Sequence, residues 1–382
     1  LQALEGLRVV DMATVLAGPA AGKYLADFGA DVIKIEAPEG DGTRRMGWMP
    51  PDGGDAYMWQ IVGRGKRSVV ADLKTEDGLA LLLRLVDDAD VLIENFRPGT
   101  MERLGLDPTE LLKRNPRLVI LRVSGFGQTG PYRSRPGFAS IAEAMSGFAS
   151  LSGEPDGAPL LPPIALTDEV TGIVGAFSIM VALRHRDATG AGQVVDVNLL
   201  ESILQMMGPL PAAFAGLGYE QPRMGSGIPY SVPRGTYQCA DGEWIAISAS
   251  AESVATRVLE LLGVSDDPRF SSFAGRSEHR VELDALMSDW VARRSCDEAL
   301  AEFDAAHAAA ARVYSIGDVV TDPHVRERGV LIEVDGVLMT GPVARLYRTP
   351  GEVRSAGPAL GADTEDVKGA LAETPGWPSR PS

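Results

Sequence analysis

The feature that most constrains the fold is an alternation. Between residues 7 and 124, short runs of Val, Ile and Leu alternate with segments whose apolar residues recur at helical spacing. Leu7–Asp11 reads as a strand, Gly18-Pro19 opens a helix running to Phe28, and Asp31–Glu36 is the next strand. Ser68–Leu73 is again strand-like. Thr75–Asp88 is an amphipathic helix begun by Glu76 and Asp77, and Asp90–Phe96 returns to strand. Asp107 with Pro108 caps a short helix before a strand at Leu118–Val123. Strands alternating with helices predict βαβ units and a parallel sheet with right-handed crossovers. Ligands of such sheets bind beyond the carboxyl ends of the strands, where Asn95, Phe96 and Arg97 fall.

A second stretch, Pro162 to Gly175, carries the strongest chemical hint. An apolar run ends in Thr167 and Asp168, and from Val170 apolar residues recur at helical spacing through Ile173, Val174, Phe177, Met180 and Val181. Asp168 is therefore expected where loop or strand turns into helix, its carboxylate accepting from first-turn N–H groups and kept ionised by the helix dipole. Two roles stay open on the residues alone, an N-cap or a carboxylate nucleophile. Gly172 and Gly175 weigh towards the second, because a glycine inside a helix costs about 1 kcal/mol and signals close approach of another backbone or a ligand.

Gln193–Asn198 gives a further strand and Leu199–Met207 a further helix, after which Pro209 to Pro233 is rich in Gly and Pro. The organisation expected is α/β. A large parallel-sheet, Rossmann-like domain covers 1–208, a linker with a glycine loop 209–235, and a smaller α+β domain 236–329. A tail over 330–382 rejoins the large domain. The small domain has a strand pair around Ala240-Asp241-Gly242 and helices near 252–262, 280–294 and 297–308. In the tail, Val330–Val334 and Pro342–Tyr347 read as strands and 363–372 as a short helix.

A formal net charge of −16 argues against a nucleic-acid partner, so a polyanionic ligand needs a local basic cluster. Arg64, Lys66, Arg67 and Lys74 could form one, with Arg44, Arg45, Arg97 and Arg103 as further candidates; scattered surface charge is the alternative. The four His, at 185, 279, 307 and 324, are far apart, and Cys239 and Cys296 are the only cysteines, so no metal site is expected. No apolar run approaches the ~18 residues of a membrane span. No basic-then-apolar leader opens the sequence, and the expectation is a cytoplasmic protein without a membrane partner. Gly18, Gly22 and Glu36 hint at dinucleotide binding, but Gly-x-Gly-x-x-Gly is absent.

Taken together, several blocks resemble the signatures of family III CoA transferases, a group that includes the alpha-methylacyl-CoA racemases. They are Leu4-Glu5-Gly6-Leu7-Arg8-Val9-Val10-Asp11, Ala17-Gly18-Pro19, Asp31-Val32-Ile33-Lys34-Ile35-Glu36, Arg64-Gly65-Lys66-Arg67-Ser68, Glu94-Asn95-Phe96-Arg97-Pro98-Gly99, Gly125-Phe126-Gly127 and Asp322-Pro323-His324. They occur in order over nearly the whole chain. The resemblance implies a nucleophile at Asp168, a coenzyme A site at Val15, Ala71, Leu73, Asn95, Phe96, Arg97 and Arg103, and interlocked homodimers. It implies transfer of CoA from an acyl-CoA to a small carboxylic acid through an aspartyl intermediate, without a metal. The Gly225-Ser226-Gly227 segment falls near the family's glycine-rich substrate loop, although a plain turn accounts for it equally.

Departures narrow the reading. The racemases carry a His in the block that here reads Pro136-Gly137-Phe138-Ala139, so Phe138 removes one of two bases needed to invert an alpha carbon. Formyl-CoA transferases have Gln at the position of Leu16 and an acidic residue at that of Ala139, so the resemblance does not extend to oxalate as acceptor. A 2-methylacyl-CoA epimerase and a non-catalytic acyl-CoA binder are the alternatives.

Overall fold

Six strands, β1 Arg8–Asp11, β2 Asp31–Glu36, β3 Arg67–Val70, β4 Val91–Glu94, β5 Val119–Ser124 and β6 Val194–Asn198, form one parallel sheet in the order β3-β2-β1-β4-β5-β6. The computed structural model describes residues 2–374, 376–378 and 380. The chain divides into two compact units, one of Leu1–Phe148, Pro162–Gly208 and Pro323–Ser382, the other of Ala149–Leu161 and Pro209–Asp322.

In the first unit, successive strand residues point to opposite faces, and both faces are covered. Val9, Val32, Ile93 and Leu121 pack on one side with Ala21 and Leu25 of the helix Ala17–Ala26 and with Ile179 and Leu183 of the helix Leu166–Thr189. Val10, Ile33, Leu92 and Ile120 pack on the other with Leu82 and Leu85 of Glu76–Asp88. The caps are local: Thr75 accepts the Gly78 N–H at 3.1 Å and Asp107 the Thr109 N–H at 2.7 Å. The tail returns to this sheet. Asp363 accepts the Ser68 N–H at 2.8 Å, Thr364 the Val70 N–H at 2.9 Å, and Val367 of the helix Thr364–Glu373 enters the second core.

One strand is displaced from its expected place. β10, Leu331–Val334, pairs antiparallel with β11, Val337–Thr340, while Pro342–Tyr347 lies in no strand. Asp335 and Gly336 link the pair with φ of 51° and 77°, and two consecutive positive φ values are what a two-residue hairpin demands. In the second unit β7 Arg234–Gln238, β8 Trp244–Ser248 and β9 Ala310–Arg312 form an antiparallel sheet. Helices Glu252–Leu261, Arg280–Ala292 and Cys296–Ala305 cover it, around Ile245, Ile247, Met287 and Phe303. Within the Gly- and Pro-rich stretch, Leu210–Leu217 is helical.

The two glycines of the long helix have a packing role. A Cβ on Gly172 would lie 2.6 Å from the Ala20 Cβ, and one on Gly175 3.0 Å from Leu121 Cδ2, so the helices Ala17–Ala26 and Leu166–Thr189 approach backbone to backbone. Helix propensity and packing then oppose each other. Gly172→Ala gains about 1 kcal/mol of propensity and loses about 1–3 kcal/mol to overpacking, so the net effect predicted is a lower Tm, partly restored by Ala20→Gly. Gly369→Ala is the control, since nothing lies within 4 Å of its added Cβ and propensity alone should raise Tm. A Gly172→Ala protein melting above wild type would contradict the packing account.

Candidate active site

The strand order reverses direction between β1 and β4, which makes their carboxyl ends the topological switch point of the sheet. The chain leaves β1 through Thr14–Ala17 and β4 through Asn95–Pro98. Asn95 ties the two together: its Oδ1 accepts the Thr14 N–H at 2.8 Å, and its Nδ2 donates to the Thr14 carbonyl at 2.6 Å. A cleft of about 240 Å³ opens here, lined by these two segments, by Ser124, Gly125, Arg133, Arg135, Phe138 and Ala139, and by Asp168.

Asp168 is the third residue of its helix and does not cap it. The helix begins after Ala165, with no side-chain cap. The expectation that helix N–H groups hold this carboxylate ionised is overturned. Half-buried, Asp168 is pushed up to about 6, first by loss of solvation and then by the neighbouring charges of Glu143 and Glu169. Those neighbours are themselves fixed. Thr167 donates its hydroxyl to Glu143 at 2.8 Å, and Glu143 is buried. Lys23 pairs with Glu169 at 3.1 Å and the Tyr24 hydroxyl donates to it at 2.7 Å.

The opposite wall of the cleft is held from beneath by buried charges. Lys34 donates to the Ala13 carbonyl and pairs with Asp41 at 3.4 Å; Lys66 pairs with Asp11 at 2.8 Å and donates to the Pro19 carbonyl at 2.7 Å. Burial alone would raise Asp41, but the Lys34 ammonium and the N–H and hydroxyl of Thr43 hold it below the usual carboxylate range. Above this layer Val15 has φ 66°, a left-handed conformation that costs a β-branched residue about 1–3 kcal/mol.

Of the residues singled out from sequence, Val15, Asn95, Phe96 and Arg97 line the Asp168 cleft. Phe96 also borders a second cavity of about 330 Å³, with Ala71, Leu73 and Lys74. Arg103 is exposed, lies outside both linings and donates to the Thr100 hydroxyl at 2.8 Å. Gly225, Ser226 and Gly227 belong to the second unit, where the Gly227 N–H closes a turn on the Met224 carbonyl at 2.8 Å and Ser226 meets the Thr236 hydroxyl at 2.9 Å.

Of the basic cluster expected around residue 66, Arg64, Lys66 and Arg67 are interior structure, while Lys74 is exposed at the second cavity. Arg64 pairs with Asp27 and Arg67 with Asp31, both at 2.6 Å, and Arg44 bridges Glu36 and Asp55 at 2.6 Å each. By contrast Arg97, Arg133 and Arg135 have no carboxylate partner among the described residues, and all three line the Asp168 cleft. Arg133 and Arg135 were not legible as site residues. The available signal was two arginines two positions apart, in a loop of an acidic chain just before Gly137.

Comparison with known proteins gives concordant findings. The family described as CoA-transferase family III matches residues 4–364. A succinyl-CoA–D-citramalate CoA-transferase of Chloroflexus aurantiacus is 39% identical over 373 residues, 95% of this chain and 92% of that protein. A succinate–glutarate CoA-transferase of Agrobacterium fabrum is 36% identical over 384 residues, 96% of this chain and 95% of that protein. Among solved structures, a CAIB/BAIF family protein from Brucella suis superposes with a TM-score of 0.87 at 34% identity, covering 97% of this chain and 99% of that one.

The electrostatics of Asp168 can be measured directly. A carboxyl whose pKa is raised by folding stabilises the fold at low pH, and that contribution is lost as pH rises through its folded value. NMR titration of the Asp168 carboxyl should give a midpoint near 6. Glu143→Gln should lower it, and Asp168→Asn should raise Tm at pH 8 by removing a charge that burial and its neighbours oppose. A midpoint at the ordinary value of 3.8 would contradict this environment.

Proposed function

The chain belongs to CoA-transferase family III, and from that premise we propose that it moves CoA from an acyl-CoA thioester to a small carboxylic acid through a covalent intermediate on Asp168. The observation that carries this reading is a half-buried carboxylate, raised to about 6, in a cleft at the switch point beside Asn95, Phe96 and Arg97. Such a group is still largely ionised at neutral pH while being more basic than an ordinary aspartate, which suits a nucleophile.

The chemistry is balanced without a net proton. A carboxylate oxygen of Asp168 attacks the thioester carbonyl carbon, the C–S bond breaks, and CoA leaves as thiolate, giving a mixed anhydride. The thiolate then attacks the aspartyl carbonyl carbon and expels the donor carboxylate, which carries away the bridging oxygen. The acceptor carboxylate attacks the resulting aspartyl-CoA thioester and releases the thiolate again. Attack of that thiolate on the acceptor's carbonyl carbon yields the new acyl-CoA and frees Asp168. The acyl groups stay activated at every step, and the oxyanions need N–H donors and positive charge nearby.

For coenzyme A we propose Val15, Ala71, Leu73, Asn95, Phe96, Arg97 and Arg103, with Arg133 and Arg135 adding charge to attract the anionic thioester. Gly225, Ser226 and Gly227 are proposed as the substrate loop. A homodimer belongs to the same reading, supported by an apolar stripe of Ile173, Phe177 and Val181 exposed by 53%, 68% and 54% on the long helix. A cytoplasmic setting suits the two free buried thiols, Cys239 and Cys296.

Epimerisation of 2-methylacyl-CoA is the second reading and is disfavoured, because the cleft position that would need a base holds Phe138 and Ala139. The non-catalytic binder leaves the cleft carboxylate without a use. The names of the relatives above make succinyl-CoA with a short dicarboxylate the first pair to assay. In D₂O the wild type should transfer CoA while a 2-methylacyl-CoA gains no deuterium at C2 at a comparable rate, and Asp168→Ala should transfer at no more than ~10⁻³ of wild type. Transfer by Asp168→Ala at the wild-type rate removes the proposed mechanism; rapid C2 exchange with inversion restores the epimerase.

A further inference from the structure

The transfer steps use Asp168 but assign no role to the ionic layer beneath the facing wall. That wall is unusual in how completely its backbone is held. Asp11 accepts the Ala13 N–H at 3.1 Å and Lys34 donates to the Ala13 carbonyl. Asn95 clamps both sides of Thr14. Asp41 accepts the Val15 N–H at 3.2 Å, at the one residue of this wall whose φ is left-handed. A strained conformation persists only where its surroundings over-determine it, and here the determinants are two buried charges drawn from outside the cleft. Asp41 is 4% exposed and Lys34 0%; Asp41 also accepts the Thr43 N–H at 2.9 Å and the Thr43 hydroxyl at 2.7 Å, so its orientation is fixed.

We propose that Asp41, backed by Lys34, is a positioning residue for the transfer reaction: it pins the Val15 backbone and so keeps the Thr14–Ala17 wall aligned with the Asp168 carboxylate. It touches no reacting atom: neither Asp41 nor Lys34 lines the Asp168 cleft, and both instead border the second cavity, beside Ala71, Leu73 and Phe96. The inference rests on the reading of Asp168 as nucleophile. Its chemical rationale is that one thiolate leaves and returns twice while a single carboxylate serves both acyl groups. A displaced wall therefore degrades each attack, and a shift of about 1 Å from a remote change can cost ~10²-fold.

The test compares Asp41→Ala, Asp41→Asn, Val15→Gly and the double variant Asp41→Ala/Val15→Gly for kcat, KM and Tm, with Asp168→Ala alongside. Asp41→Ala should lower kcat about 10–100-fold, a loss that saturating thioester does not recover. Asp41→Asn, which keeps an acceptor for the Val15 N–H, should recover most of that loss. Because glycine adopts left-handed φ without strain, the Tm lost on Asp41→Ala should be smaller in the Val15→Gly background. If Asp41→Ala alone does not fold, Val15→Gly should restore a folded double variant. A kcat within about twofold of wild type per folded molecule, an equal Tm loss in both backgrounds, or no restoration of folding each overturns the proposal. Asp168→Ala separates the two readings. Retained transfer there sinks the nucleophile, whereas an inactive Asp168→Ala beside a fully active Asp41→Ala sinks only the positioning role.

Discussion

The approach of Gly172 to Ala20 is the contact on which the site depends. With side chains of ordinary size at 172 and 175 the long helix could not settle against Ala17–Ala26, because the added carbons would sit 2.6 Å from Ala20 and 3.0 Å from Leu121. The first turn of the long helix carries Asp168, and the turn before Ala17–Ala26 carries Val15 and Leu16, so the same close packing that builds the core brings both walls of the cleft together. Lys23 and Tyr24 on the shorter helix then hold Glu169 of the longer one, fixing the charge next to Asp168.

Charge is distributed in two ways over this acidic chain. Arg44, Arg64, Lys66 and Arg67 are buried and paired, and breaking such pairs would leave an uncompensated charge in the interior. Arg97, Arg133 and Arg135 form no ion pair among the described residues and line the cleft together with Asp168. A local positive lining in a chain of net charge −16 is what an anionic thioester requires.

Much of this was legible in sequence and the remainder was hidden for identifiable reasons. The strands of the sheet and the place of Asn95-Phe96-Arg97 beyond β4 followed from alternation, because burial on both faces leaves runs such as Val91-Leu92-Ile93 without polar interruption. The glycines signalled close approach of either a backbone or a ligand, and at Gly172 it is the helix Ala17–Ala26 that approaches. The fate of the basic residues was not legible, since Arg64 meets Asp27 and Arg67 meets Asp31 only once β2 and β3 pair. Nor was the state of Asp168, which spacing suggested as a cap and which Glu143, 25 positions earlier, helps to raise. The shifted β11 was a local misreading: Asp335-Gly336 is a two-residue turn signal, and the partner strand had to begin at Val337.

If CoA passes through the Asp168 carboxylate, oxygen atoms record that passage. In the proposed sequence the acceptor carboxylate forms the bridge of the second anhydride, and thiolate attack on the acceptor carbon leaves that bridging oxygen on Asp168. Turnover with an acceptor labelled with ¹⁸O in both carboxylate oxygens, followed by mass analysis of the peptide containing Asp168, should therefore find ¹⁸O in its side chain, and labelling should require the donor thioester. A labelled acyl-CoA product accompanied by an unlabelled Asp168 would show that CoA reaches the acceptor without this carboxylate and would contradict the account.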